Sequence, residues 1–462
     1  MLSPPSTSPA IFVSAPPRRP VTRRTMNAAD RATSATSVNS AASANRSAAE
    51  TAAEEAAAGF VLRLGRALHM YGYTAHGLED VLEQVSTRLG LKGQFFASPT
   101  SISAAFGELE RQRAHLVRVE PGDVDLGRLA ALDEICDRVL DGLVSPAEGS
   151  LAIEAIVDHP SAYHPYVRTL AYGLASAAAC RMLGGGYPEM LLSSGIGLLI
   201  GVLSVLTSRS QKTSRVFEFV AAFVASLMVN ALAAEGVAVA SGVTILAGLI
   251  VLLPGLTLTL AMAELSSRHL VAGTARMFGA LTVLLGITFG VAAGARVARS
   301  IVGVGPELAV TPTPEWVLLL ALIAIPLAFS ILLRAQPRDV PWILAISLIG
   351  YAGAMAGARL LGPGLGAFFG AFSVGIASNR YERLVGRPST VPLVPGVLLL
   401  VPGSIGFRSF ALLLEQQVVV GVDAAFTMTM TAISLAAGLL LANVLVPPET
   451  KKASPLIIPS RS

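Results

Sequence analysis

Seven sites in this chain put polar or helix-breaking chemistry where it costs free energy, inside or beside runs apolar enough to cross a membrane. Asn230 in "FVAAFVASLMVN" and Asn379 in "FFGAFSVGIASN" each follow two phenylalanines, Phe219 and Phe223 or Phe368 and Phe372, at intervals of four and seven. A carboxamide in such surroundings can hydrogen-bond a polar solute, or tie helices together at about 0.6–2 kcal/mol. Pro254-Gly255 in "LLPGLTL" and Pro402-Gly403 in "LVPGSIGF" should break a helix, because proline removes a backbone donor and glycine disfavours the helix interior. In lipid a break is tolerated only where it is buried in protein or lines a watery cavity. Glu218 and Glu264 lie within or at the end of apolar runs, where a charge at the bilayer centre costs at least ~2.5–3.5 kcal/mol. Either could carry a coupling proton, or be solvated at the cytoplasmic surface. Arg408, five residues beyond Gly403, could meet a carboxylate substrate, pair with an acid, or snorkel to the outer surface.

Other chemistries find little support. His69 and His76 are seven apart, but "YGYT" interrupts any helix joining them, so a surface or core role is expected, not a metal site. Cys136 and Cys180 share no motif. There is no Walker motif, GxSxG elbow or HExxH, and "GPGLGAFFG" lacks the phase of a nucleotide loop. No metal and no cofactor are therefore expected. The formal charge of +4 could suggest nucleic acid, but the basic residues are spread over loops that flank apolar runs and read as topology signals. The GxxxG spacings in "SGIGLLIG", "GVAAG", "GAMAG" and "GAFFG" read as close helix packing.

The elements that must position these residues follow from composition. With 53% hydrophobic and 14% charged residues and a mean hydropathy of +0.64, a polytopic membrane protein is the default. Residues 1–51 are rich in Ser, Ala, Thr and Pro and read as a disordered tail. Within it "AIFV" is too short for a signal-peptide core, and Met26 is a second candidate start. Residues 52–165 hold five of the six histidines and read as a small cytoplasmic α/β domain. Helical periodicity runs through "AAEEAAAGFVLRLGRALHMYG" and "HGLEDVLEQVSTRLGL", three short strands follow in "GQFFASP", "SISAAFG" and "AHLVRVE", and two more helices close the domain. "SPAE" matches a capping box, Ser145 with Glu148.

Ten spans are expected, at about 166–184, 190–206, 216–235, 239–262, 276–297, 314–333, 341–358, 362–380, 391–414 and 422–446. Each is long enough to cross a hydrocarbon core of ~30 Å. With the front domain inside, the inner loops collect Arg209, Lys212, Arg215, Arg268, Arg276, Arg334, Arg338, Arg380, Arg383, Arg387, Lys451 and Lys452, against Arg296, Arg299 and Arg359 outside. That asymmetry places both termini in the cytoplasm. The lysine-poor, arginine- and alanine-rich usage suggests a GC-rich bacterial genome, hence a bacterial plasma membrane.

The apolar region repeats itself. Asn230 to Pro254 is 24 residues and Asn379 to Pro402 is 23, so the Phe-Phe-Asn stretch and the Pro-Gly break recur in the same order at nearly the same distance. The unit is five spans, 166–297 and 314–446, with 447–462 as a cytoplasmic tail. Because five is odd, the second copy enters the membrane upside down. The expected fold is a polytopic α-helical membrane protein of about ten spans in two inverted five-span repeats, with substrate between the paired breaks.

The segments "HMYGYTAHGLEDVLEQVSTRLGL", "SPTSI", "VDLGRLAALDEICDRVLDGLVSPAEGSLAIEAI" and "MLGGGYPEM", and the later "FFGAFSVGIASNRYERLVGRPSTVPLVPGVLLLVPGSIGFRS", resemble the threonine/serine exporter family of the ThrE type over residues 55–445. The resemblance implies a cytoplasmic N-terminal domain joined to about ten spans. It also implies export of threonine and serine driven by the membrane potential or the proton gradient. It carries no established substrate residues, so the candidates remain Asn230, Asn379, Pro254, Gly255, Pro402, Gly403 and Arg408 for the path and Glu218 and Glu264 for the proton. Threonine and serine are the expected small-molecule partners and lipid surrounds the spans. Self-association is left open, and no nucleic acid is expected. The alternatives are a membrane-anchored hydrolase with the front domain as catalyst, and an exporter whose front domain senses amino acid.

Overall fold

The structure is a computed structural model that describes residues 50–120, 122–160, 162–207, 216–303, 305, 313–400 and 403–448. The expected tail before residue 50 and the cytoplasmic tail after 448 lie outside the described residues.

The front segment opens with helix α1 over residues 50–70 and α2, Ala75–Arg88. Strands β1 (Gly93–Ser98), β2 (Ser101–Phe106) and β3 (Arg113–Arg118) follow, then α3 (Leu126–Leu140) and α4 (Pro146–Asp158). The strands form one antiparallel sheet in the order β1-β2-β3, with Phe96 opposite Ser103 and Ser103 opposite Leu116. Alternation decides its faces. Ala97, Ile102, Ala104 and Phe106 turn inward and pack with Phe60, Leu64, Leu78 and Leu82, whereas Phe96 and Leu116 are exposed on the other face. Asp125 caps α3 by accepting from the Arg128 amide at 3.0 Å. Ser145 and Glu148 form the full capping box of α4, and the hydrogen bonds from Ser145 hold the Glu148 carboxyl below its ordinary range. His69 is buried and donates from Nε2 to the Ser98 carbonyl at 2.8 Å, so it anchors α1 to the end of β1. Burial lowers its pKa, because the charged imidazolium would be poorly solvated there.

Among the described residues twelve α-helices follow. They are α5 (Pro165–Met182), α6 (Tyr187–Thr207), α7 (Phe217–Ala234), α8 (Ser241–Gly248), α9 (Gly255–Ser266), α10 (Leu270–Val302), α11 (Glu315–Leu332), α12 (Val340–Leu361), α13 (Pro363–Val385), α14 (Thr390–Leu398), α15 (Gly403–Leu414) and α16 (Val418–Leu445). Among the described residues seven helical segments are long and apolar enough to cross a membrane, Thr390–Leu414 counting as one. An eighth is added if Ser241–Gly248 and Ile250–Ser266, bent by 52°, make one span. The segments expected at 166–184 and 362–380 are helical too, as α5 and α13, but are not among these eight. The first carries Arg168 and Arg181, and the second ends in Asn379, Arg380, Glu382 and Arg383.

The two halves of the apolar region share several local features. Both α9 and α15 have 12 residues and begin at the glycine of a Pro-Gly pair, 148 positions apart. Both end alike: Arg268 and Gln416 take left-handed φ values of 66° and 62°, and the next amides, of His269 and Gln417, each reach back 2.9 Å to Glu264 and Leu412 carbonyls. That is the hydrogen bond of a Schellman-type helix end. The stacked pair Phe219 and Phe223 on α7, and its counterpart Phe368 and Phe372 on α13, sit where glycines meet main chain. Gly290 of α10 lies against the Phe219 carbonyl and Gly438 of α16 against the Phe368 carbonyl, with no room for a Cβ. Small residues let membrane helices approach this closely.

Packing does not stop where the apolar region begins. The core around Phe60, Leu78 and Leu132 continues without a gap into Ile343, Ile346, Val374, Tyr381 and Val391 of the membrane helices.

Candidate functional site

After α8 the chain makes one tight turn, Ile250–Leu252, and Pro254 then caps α9 from a non-helical position, φ −80° and ψ 42°. Proline has no N–H to lose at a helix start, so the residue that breaks the span also opens the next helix. α14 ends at Leu398 and α15 opens at Gly403; Pro402 lies outside the described residues. The two starts meet. A Cβ placed on Gly403 would lie 3.2 Å from the Gly255 Cα and 3.3 Å from its nitrogen, so a larger residue would push the two main chains apart by a few tenths of an ångström.

A cavity of about 710 Å³ lies against this junction. Pro254, Gly255, Thr257, Gly403 and Ser404 line it. So do Arg168 and Tyr172 from α5, Ser204 and Thr207 from α6, Glu218 from the first turn of α7, and apolar residues that include Leu253, Leu256 and Phe329. The loop at Gly122–Val124, from the front segment, reaches the same space, as do Leu332 and Leu333 at the end of α11. The size falls within the range of small-molecule sites. The starts of two helices present main-chain donors and partial positive charge, Glu218 presents a carboxylate, and five side chains present hydroxyls.

The remaining sequence-stated candidates sit elsewhere. Asn379 is 1% exposed and donates to Asn443 Oδ1 at 2.9 Å and the Val446 carbonyl at 2.7 Å, tying α13 to the end of α16. Asn230 donates to the Ser226 carbonyl of its own helix at 2.8 Å. Arg408 is exposed on α15. Neither asparagine nor Arg408 lines the cavity. Glu264 is fully buried, and Arg276 holds it with two contacts of 3.0 Å while the Ala75 amide, at the start of α2, donates to it at 3.2 Å. It joins the front segment to α9 and α10 as a compensated charge.

Sequence reasoning passed over Asp123, Arg168 and Arg334. Asp123 Oδ2 lies 3.0 Å from Arg334 and 3.9 Å from Arg168, and Asp125 also reaches Arg334, at 3.3 Å. Beside them the start of α3 meets the end of α11: the Leu126 and Gly127 amides donate to the Leu333 and Arg334 carbonyls at 2.9 and 3.2 Å.

The fold thus defines a polytopic α-helical membrane protein with a cavity of mixed polar and apolar lining where the starts of α9 and α15 meet. Residues 59–298 match the family model described as "Putative threonine/serine exporter", and residues 317–445 match the one described as "Threonine/Serine exporter, ThrE". The chain belongs to the threonine/serine exporter family. It is also similar to yeast proteins named pheromone-regulated membrane protein 10. Identity to the Pichia sorbitophila protein is 29% over 376 residues, covering 76% of this chain and 36% of that one. Identity to the Eremothecium gossypii protein is 28% over 423 residues, covering 86% and 57%. The chain spans from about a third to just over half the length of these curated relatives. No solved structure matches.

Proposed function

We propose that the protein is a secondary transporter that exports small neutral, hydroxylated amino acids of the threonine and serine type across a bacterial plasma membrane, driven by the proton gradient. One observation carries the reading: two 12-residue helices, each opened by the glycine of a Pro-Gly pair, start against one another beside a cavity whose lining mixes charged and hydroxyl side chains with apolar ones. An amino-acid carboxylate suits the donors and positive dipole ends there. Its ammonium suits Glu218, and a side-chain hydroxyl suits the serines and threonines of the wall. Glu218 is also the better placed of the two carboxylates to exchange a proton, because Glu264 is already neutralised by Arg276.

The matched helix lengths, helix ends and glycine contacts favour ten spans in two inverted repeats, with the two halves rocking about the paired breaks. In that scheme the front segment and both termini are cytoplasmic, and Asn230 and Asn379 serve packing. The test is efflux of labelled threonine from preloaded cells, with and without a protonophore. Expression of the chain should accelerate efflux, and the protonophore should abolish the acceleration. Efflux equal to that of cells lacking the protein would sink the proposal.

A further inference from the structure

At the end of the cavity nearest the front segment, two guanidiniums converge on one carboxylate oxygen. Asp123 Oδ2 is 3.0 Å from Arg334 Nη2 and 3.9 Å from Arg168 Nη2. The partners differ in how they are held. The side chain of Asp123 is 72% exposed, against 21% for Arg168 and 14% for Arg334. Arg334 is fixed further by Asp125. The Nε atoms of both arginines are buried without a hydrogen-bond partner, so their donor capacity exceeds what Asp123 takes up through one oxygen. Asp123 and Arg168 both line the cavity.

A guanidinium fork is matched best by a planar carboxylate that accepts with two oxygens. An exposed ion pair is weak and exchanges readily with solvent, so the aspartate can leave while the half-buried arginines stay. The geometry points to a carboxylate-docking station formed by Arg168 and Arg334 beside the cavity, with Asp123 as its tethered competitor. A solute carboxylate that displaces Asp123 is held next to the cavity whose lining also includes the helix starts at Gly255 and Gly403. Only the direction of traffic rests on the exporter reading; the preference for a carboxylate stands on these three side chains.

The test uses the purified full chain in detergent and reads the rise in melting temperature as ligand is titrated. Three probes separate the groups: threonine, propionate, which has the carboxylate alone, and threoninamide, which lacks it. Asp123→Asn and Asp123→Ala should each lower the half-saturating concentration of threonine and of propionate about two- to fivefold, the worth of an exposed pair. Arg168→Gln should raise it about tenfold. Threoninamide should respond to none of these changes. The inference is overturned if no carboxylate stabilises the protein, if neither Asp123 variant moves the two carboxylate titrations, or if the amide moves with the acids. Carboxylate binding that behaves as stated in a protein that exports no threonine would instead overturn the exporter reading alone.

Discussion

Substituting Gly403 by alanine tests whether the contact between the two helix starts is part of the working cycle. The new methyl carbon would sit 3.2 Å from the Gly255 Cα, 3.3 Å from its nitrogen and 3.3 Å from the Leu253 Cβ. Two of those three neighbours are main chain and cannot rotate away, so the helix starts must separate by a few tenths of an ångström. Overpacking of this kind costs about 1–3 kcal/mol. Alanine recovers at most about 1 kcal/mol of helix propensity, and less at a first turn than in an interior. The clash therefore wins. If the starts touch in one state of the cycle and part in another, a net 1–2 kcal/mol shifts the balance of states about 5- to 30-fold. Efflux of labelled threonine should fall by a similar factor at equal expression. Gly286→Ala is the control, since it lies within α10 with nothing near its Cβ position; it should leave efflux unchanged. The reasoning fails if Gly403→Ala exports like the parent chain, or if Gly286→Ala loses as much.

Other substitutions separate structural from transport roles. Glu264→Gln removes the fully buried carboxylate that pairs with the largely buried Arg276 guanidinium and should cost about 3 kcal/mol, seen as a lower melting temperature in detergent. The double replacement Glu264→Leu with Arg276→Met should recover much of that loss, and an exporting double variant would remove Glu264 from proton coupling. Asn379→Ala deletes two buried hydrogen bonds and should cost about 1–3 kcal/mol of stability while efflux per folded molecule is kept; lost efflux at full stability would return Asn379 to the transport path. For His69 the folded pKa lies below the ordinary 6.5, so the unfolded chain takes up a proton first as pH falls. Its contribution is present above that value and lost as pH drops below it. The melting temperature should fall from pH 7 to 5, and less steeply in His69→Gln, which keeps a donor for the Ser98 carbonyl.

Much of this arrangement was legible because proline, glycine and repeated spacing act through the main chain. A Pro-Gly pair announces a break whatever surrounds it, and the recurrence of Phe, Phe, Asn and Pro-Gly pointed to matching helix starts at Gly255 and Gly403. The three front strands and the α4 capping box were legible for the same reason, since alternation and "SPAE" are local signals. What lay beyond reach depends on partners distant in sequence. Asp123 and Arg334 are 211 positions apart, and Arg334 alone read as one more loop arginine. Asn379 looked like a substrate ligand because Asn443, 64 positions on, had no reason to be placed opposite it. Glu264 looked like a lone charge because its partner, Arg276, is carried by the next helix.

The joint between α3 and α11 bears on how force moves through the molecule. The front segment is covalently continuous with α5, yet its third helix is hydrogen-bonded through the main chain to the end of α11, the first helix of the other half. It is therefore a cross-brace that grips both halves at once. In the proposed rocking scheme, movement of one half against the other must either carry this brace along or break its grip, so the stiffness of the joint would set how far the halves swing.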